Sequence, residues 1–122
     1  MLGGHSYGGM VISQAAELIP TGLVSSIVYL DAFLPVNGRS LFDYSSNAAQ
    51  KEEGARTGLV SPPAASIFGV NLADRAWVDT LCTKHPMRCF TEKVRLTGAY
   101  EAVGRKTYIR ATGWRGMPTE FA

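Results

Sequence analysis

The sequence predicts an α/β domain with a parallel sheet, and two observations support this prediction. A glycine-rich turn at residues 4–8 (GHSYG) joins the end of an apolar strand directly to a helical pattern. Residues 27–30 (IVYL) then form a continuous apolar run, which is typical of a strand covered on both faces. A strand, a helix and a second parallel strand together make a right-handed crossover unit.

The first strand is expected to end at Leu2 and Gly3, at the very start of the chain. A helix from about Gly8 to Ile19 follows, because apolar residues recur there at helical spacing and form one broad face. Pro20 ends that pattern.

The pattern changes after residue 36, where we expect a short helix at residues 40–44 and a mobile loop at residues 50–63. Asn71 or Asp74 is predicted to cap a helix that runs to Cys82. The apolar side of this helix is expected to contain Leu72, Trp77, Val78 and Leu81.

Pro86, Met87 and Phe90 indicate another short helix or turn. Residues 106–111 (KTYIRA) predict a return to the sheet, and residues 113–118 are expected to form a loop.

The turn at residues 4–8 fits the pattern G-x-S-x-G, which places a serine at the tip of a strained turn between a strand and a helix. Side chains at Gly4 and Gly8 would collide in such a turn, and Gly9 would allow the helix to pack closely. The helix N-terminus then directs its free N–H groups towards Ser6. The backbone N–H of Tyr7 is a candidate oxyanion donor.

Residues 3–12 (GGHSYGGMVI) and 27–35 (IVYLDAFLP) resemble the α/β-hydrolase superfamily. Within it, they are most similar to the small bacterial esterase-like branch related to plant hydroxynitrile lyases and methyl-ester esterases. The resemblance implies that Ser6 is a nucleophile and that Tyr7 helps to bind the oxyanion.

The resemblance also implies an incomplete α/β-hydrolase fold, with few parallel strands, flanking helices and a helical cap-like insertion. Residues 1–35 would form the elbow, helix and following strand of the core. Residues 36–104 would form the cap, and residues 105–122 would return to a truncated core sheet. The start of the chain also looks truncated, which leaves a gene fragment and a degenerate protein as alternatives.

A serine of this kind needs a histidine base, which in this superfamily comes last in chain order, and a carboxylate that orients it. His5 is expected to pack or hydrogen-bond behind the turn, and His85 to lie at the surface or to line a pocket. Neither matches the catalytic position, so the base is missing. Asp31 matches the acid position of haloalkane dehalogenases, although dehalogenation itself would need an aspartate in place of Ser6. Alternatively, Asp31 is a structural carboxylate that accepts loop N–H bonds.

Three functional hypotheses follow. The first is a serine esterase parent that acts on a small-molecule ester through an acyl-enzyme, with this chain inactive alone. The second is a non-catalytic remnant or binding module. The third is a hydroxynitrile-lyase-like enzyme, which needs a cation in the pocket from Lys84, Lys93 or Lys106.

Composition limits the partners. The net charge of +2 and the absence of a basic cluster argue against nucleic acid, and no apolar run is long enough to span a membrane. Cys82 and Cys89 are expected to be reduced, partly buried thiols rather than a disulfide, and no metal site or cofactor is expected. We also expect a cytoplasmic location and self-association through an exposed sheet edge.

Overall fold

The computed structural model describes residues 1–45 and 47–114. Within these residues, the strands follow one another as β1 (Leu2–Ser6), β2 (Ile27–Ala32), β3 (Leu59–Val60), β4 (His85–Pro86) and β5 (Lys106–Ile109). The helices are α1 (Gly8–Leu18), α2 (Ala48–Thr57), α3 (Arg75–Leu81) and α4 (Met87–Thr91). Short 3-10 helices occupy Leu41–Asp43, Ala65–Phe68 and Ala99–Ala102.

Strands β1, β2 and β5 form a parallel sheet with β2 in the centre. Ile27 at the start of β2 pairs with Leu2 on one side and with Lys106 on the other. The predicted α/β class with a parallel sheet is therefore confirmed, and so is the return of the chain to the sheet at residue 106. The expected loop at residues 113–118 lies largely outside the described residues.

The core lies between α1 and the central strand. Ile12 and Ala16 of α1 pack with Ile27, Tyr29 and Ala32 of β2, and all five side chains are buried. Helix α1 has nearly its predicted bounds, but its buried face is narrower than the pattern suggested, because Val11 and Leu18 are exposed.

A polar contact inside this core fixes the helix against the strand. The hydroxyl of the fully buried Ser13 lies 2.7 Å from the Tyr29 hydroxyl and donates to the Gly9 carbonyl at 2.8 Å. Tyr29 also stacks on Tyr108 of β5, with ring centroids 6.4 Å apart. Buried hydroxyls are costly unless they are paired, so these bonds favour a single arrangement of α1, β2 and β5.

The prediction of a mobile loop at residues 50–63 is wrong, because α2 and β3 occupy most of it. Asn47 caps α2 by accepting a hydrogen bond from the Gln50 N–H at 3.1 Å. Gly58 ends the helix in the left-handed conformation, with φ of 74°. A Cβ on Gly54 would lie 2.8 Å from the Met87 side chain, so this glycine serves close packing rather than flexibility.

Helix α3 begins after Asp74, as predicted, but the Asp74 side chain does not cap it. The apolar side of this helix is not buried: no residue of α3 is buried, and Leu72, Trp77 and Leu81 are largely exposed. A polar contact anchors the helix instead: the Asp79 carboxylate accepts the Ala65 N–H at 2.7 Å.

Two stretches of the segment from residue 36 to residue 104 lie side by side. The Gly38 N–H donates to the Val94 carbonyl at 2.9 Å, and the Val94 N–H donates to the Arg39 carbonyl at 3.0 Å. Inside the segment, the Glu53 carboxylate accepts hydrogen bonds from Lys84 at 2.8 Å and from the Ser61 hydroxyl at 2.6 Å. Its role as a cap remains a prediction.

Across the described part of the chain, no helix combines the length and the apolar character that crossing a membrane requires.

Glu17 links α1 to the end of this segment. Its carboxylate accepts hydrogen bonds from the Thr97 hydroxyl at 2.6 Å and from the N–H groups of Gly98 and Tyr100 at 3.1 Å. Desolvation raises the pKa of Glu17, but these hydrogen bonds outweigh it and lower the pKa to about 2.

We predict that Glu17→Gln lowers the melting temperature at pH 7 by a few degrees. The native pKa is depressed, so the stabilisation is fully present above the unfolded pKa, near 4.5, and is lost as the pH falls towards 2. Circular dichroism melts at pH 7, 5 and 3 measure this, with Glu52→Gln on the exposed side of α2 as the control. A difference in melting temperature that does not shrink with decreasing pH would contradict the assignment.

Candidate active site

Ser6 lies at the point where β1 turns into α1. Its φ of 51° is in the left-handed region, which costs free energy for a residue with a side chain. The pairing with β2 becomes irregular at this residue, and the Ser6 carbonyl accepts the Phe33 N–H at 3.0 Å. The chain thus has the order strand, strained serine and helix that the motif requires, while the nucleophilic role of Ser6 remains a prediction.

Two of the three glycines around Ser6 are sterically required. A Cβ on Gly4 would lie 2.6 Å from the Gly8 carbonyl oxygen, and a Cβ on Gly9 would overlap the Phe33 carbonyl oxygen. The expected collision at Gly8 is wrong, because a Cβ there would point into open space. Close packing of α1 against the end of β2 therefore depends on Gly9.

Tyr7 is the residue between the strand and the helix. Its carbonyl accepts the Met10 N–H at 2.9 Å as α1 begins. Its ring meets His85 and Phe90 edge-on, with centroids 5.7 and 5.4 Å away. Burial, the Cys89 thiol and the Glu92 carboxylate raise the pKa of the Tyr7 phenol. The oxyanion role of its backbone N–H remains a prediction.

A cavity of about 580 Å³ lies over Ser6 and Tyr7. Most of its walls come from residues after 36, and aromatic rings form a large part of them. The aromatic lining residues are Tyr7, Phe33, Phe42, Tyr44, Phe68, His85, Phe90 and Trp114. Among the described lining residues, no Asp, Glu, Lys or Arg is present, so the cavity suits a neutral, largely apolar ligand.

A second, smaller cavity of about 270 Å³ is lined by both Ser6 and Asp31. Asp31 ends the regular part of β2 with φ of 44°, so it is strained in the same way as Ser6. Its carboxylate accepts the Ala111 N–H at 3.2 Å. This hydrogen bond is the one expected if Asp31 is a structural carboxylate. Because Asp31 and Ser6 line the same cavity, a catalytic role for Asp31 remains a prediction.

The two histidines lie on different sides of Ser6. His5 is exposed and lines the smaller cavity, so the expectation that it packs behind the turn is wrong. His85 lines the larger cavity, which confirms the pocket-lining alternative. No hydrogen bond joins Ser6 to either histidine within residues 1–45 and 47–114.

The lysines proposed for the lyase hypothesis are engaged elsewhere or lie outside the cavity. Lys84 pairs with Glu53 at 2.8 Å, and Lys106 donates to the carbonyls of Glu101 and Val103. Lys84, Lys93 and Lys106 are all absent from the described lining residues of the two cavities that Ser6 lines. The structure therefore provides no described cation for that chemistry.

Cys82 and Cys89 are free thiols, as predicted, although Cys82 is exposed. The described residues contain no group of three or more metal-ligating side chains.

Comparison with known proteins identifies the class. The carbendazim hydrolyzing esterase of Nocardioides sp. (strain SG-4G) is 34% identical over 134 residues, an alignment that includes 99% of this chain and 55% of the relative. A solved extracellular alpha/beta-hydrolase from a Paenibacillus species matches with a TM-score of 0.80 and 25% identity, covering 97% of this chain and 52% of that one. It is described as sharing structural and functional homology with tobacco salicylic acid binding protein 2. No protein-family model matches the chain.

The parallel sheet, the helix that follows the serine turn and the structural similarity show an α/β-hydrolase fold, and both similarities support the resemblance to that superfamily. The chain spans about half the length of the relatives it matches, which agrees with the prediction of a partial fold.

We predict that Gly9→Ala destabilises the chain by about 1–3 kcal/mol, because the added methyl group meets backbone atoms of Phe33, just after β2, that cannot move aside cheaply. Gly8→Ala is the matched control, and it should change stability by less than about 1 kcal/mol, since its methyl group enters open space. Urea unfolding measures both. Equal effects of the two substitutions would contradict the close-packing argument.

Proposed function

We propose that these residues are the central part of a serine esterase in which Ser6 attacks the carbonyl of a small neutral ester. The main support is the position of Ser6, which lies in a strained strand-to-helix turn and lines a cavity whose described lining residues include no Asp, Glu, Lys or Arg. The similarity to an esterase over nearly the whole chain supports the same reaction class.

In this proposal, the Ser6 oxygen bonds to the carbonyl carbon, and the carbonyl oxygen becomes an oxyanion. The Tyr7 N–H and the N-terminus of α1 stabilise that charge. Collapse of the intermediate expels the alcohol and leaves an acyl group on Ser6, which water then removes. A general base takes the Ser6 proton and passes it to the departing alcohol oxygen. No described residue is assigned to this base or to the second oxyanion donor.

Asp31 is the proposed acid. Asp31 and Ser6 line the same small cavity, and an imidazole ring that bonds to both groups would have to lie in it. Such a ring would accept the Ser6 proton through one nitrogen and donate to Asp31 through the other, as a serine triad requires.

The proposed substrate is a neutral ester whose larger part fits an apolar cavity of about 580 Å³. The Nocardioides relative is named for the hydrolysis of carbendazim. For this chain we propose a small-molecule ester, and the aromatic walls favour flat or apolar groups over charged ones.

A second candidate is a binding module without turnover. The observation that favours it is the lack of a hydrogen bond between Ser6 and either histidine in the described residues. In that case, the cavity binds a neutral ligand and Ser6 has no role in chemistry. The two candidates differ in whether a Ser6-dependent rate exists once a base is supplied.

We predict that the chain alone hydrolyses p-nitrophenyl acetate at close to the background rate, and that added imidazole raises the Ser6-dependent rate about tenfold or more. A positioned general base contributes about 10²–10⁴-fold, so partial rescue is expected from a diffusing one. The rate is taken as the difference between the wild-type chain and Ser6→Ala at each imidazole concentration, since imidazole also cleaves this ester directly. Ser25→Ala, at an exposed serine, is the matched control. A difference of zero at all concentrations favours the binding module.

We further predict that Asp31→Asn reduces the imidazole-rescued rate at least about fivefold, because the neutral amide stabilises an imidazolium less well than a carboxylate does. The fold must be checked by circular dichroism, since Asp31 also accepts the Ala111 N–H. An unchanged rescued rate in a folded variant would assign Asp31 to the structural role alone.

A further inference from the structure

His85 lies in the wall of the Ser6 cavity in an orientation that its neighbours fix. Its backbone belongs to β4 and pairs with Val60 of β3. Its ring stacks on Phe90, with centroids 4.7 Å apart and planes 8° from parallel, and it meets the Tyr7 ring edge-on. A ring held on two sides by aromatic contacts presents its nitrogens in defined directions.

The two nitrogens of this ring have different surroundings. Nε2 is buried and has no hydrogen-bond partner among the described residues. Nδ1 is not buried and no described residue bonds to it, so it reaches solvent, and the residue that contains it lines the cavity. Burying an unpaired N–H is costly, so the tautomer with its proton on Nδ1 is the favoured one. The ring then offers an N–H donor to the cavity.

Three other polar side chains of the same wall already donate to protein acceptors. The Gln50 side-chain amide donates to the Ser61 carbonyl at 3.1 Å, and the Ser61 hydroxyl donates to Glu53 at 2.6 Å. The Trp114 indole N–H donates to the Ile67 carbonyl at 3.2 Å. These donors are not available to a ligand without breaking an existing bond, whereas His85 Nδ1–H is.

We propose that His85 is a specificity-determining residue: its Nδ1–H donates a hydrogen bond to an acceptor on the part of the ligand remote from the carbonyl that Ser6 attacks. The site therefore selects neutral esters that contain a second acceptor, such as a ketone, amide or ether oxygen. The choice of esters as the substrate class rests on the proposed function. The His85 contact adds the requirement for a second acceptor, which the Ser6 turn alone does not impose.

The test compares two neutral esters of nearly identical shape. Methyl 4-acetylbenzoate has a ketone oxygen where methyl 4-isopropenylbenzoate has a CH₂ group, and the corresponding 3-substituted pair moves the acceptor to a second position. Affinities are measured by NMR titration of the Ser6→Ala chain, so the result does not depend on turnover. We expect the ketone of at least one pair to bind about 5- to 10-fold tighter than its alkene partner.

Variants at residue 85 assign the preference to the ring nitrogen. His85→Phe keeps the stacking on Phe90 but removes both nitrogens, and it should bring the ketone-to-alkene ratio to about one. His85→Asn places an amide N–H near the position of Nδ1 and should retain part of the preference. In His85→Gln the amide lies instead near the position of Nε2, so this variant should not retain the preference for the ketone.

The proposal is overturned if neither pair of esters is distinguished by the Ser6→Ala chain, or if the preference is the same in a folded His85→Phe variant. Either result leaves the imidazole-rescued, Ser6-dependent hydrolysis unaffected, so it would not count against the esterase proposal. Conversely, a clear ketone preference without any Ser6-dependent rate would retain the His85 contact and assign it to a binding module.

Discussion

The close approach of α1 to the end of β2 is the constraint on which the rest of the structure depends. Gly9 lies so near the Phe33 carbonyl that no side chain fits between them. The helix can begin there only if the chain turns sharply after β1, and this turn places Ser6 in the left-handed conformation. The strain at Ser6 is tolerated because the buried contacts of Ser13 and Tyr29 fix the helix on the strand.

Local features were predictable from the sequence because their causes are local. The turn around Ser6, the start and end of α1 and the strand at residue 27 depend on glycine spacing, helical periodicity and a continuous apolar run. Errors arose where tertiary contacts decide. Gly54 and Gly58 suggested a loop, yet one packs against Met87 and the other ends α2. The pattern of α3 does not show what holds the helix in place, which is a polar contact through Asp79.

In the candidate site, too, local features were predictable from the sequence and features that depend on tertiary contacts were not. Ser6, Tyr7 and the glycines belong to one continuous motif, so the sequence identified them together. The cavity above them did not follow from any pattern, because Phe33, Phe42 and Phe90 come from separate segments that meet only in the folded chain. For His85 the sequence predicts only a surface or pocket-lining position. Its unpaired buried nitrogen can be recognised only from the packing of Phe90 and Tyr7 around it.

The arrangement of the cavity has a consequence for folding. Its base is formed by the first residues of the chain, while the ring of His85 in its wall comes from far along the sequence. Contacts between such distant residues require the intervening chain to close into a loop, which costs conformational entropy. A shorter peptide that contains the serine turn would therefore have the motif without the cavity, because the cavity exists only when segments far apart in the sequence have folded together.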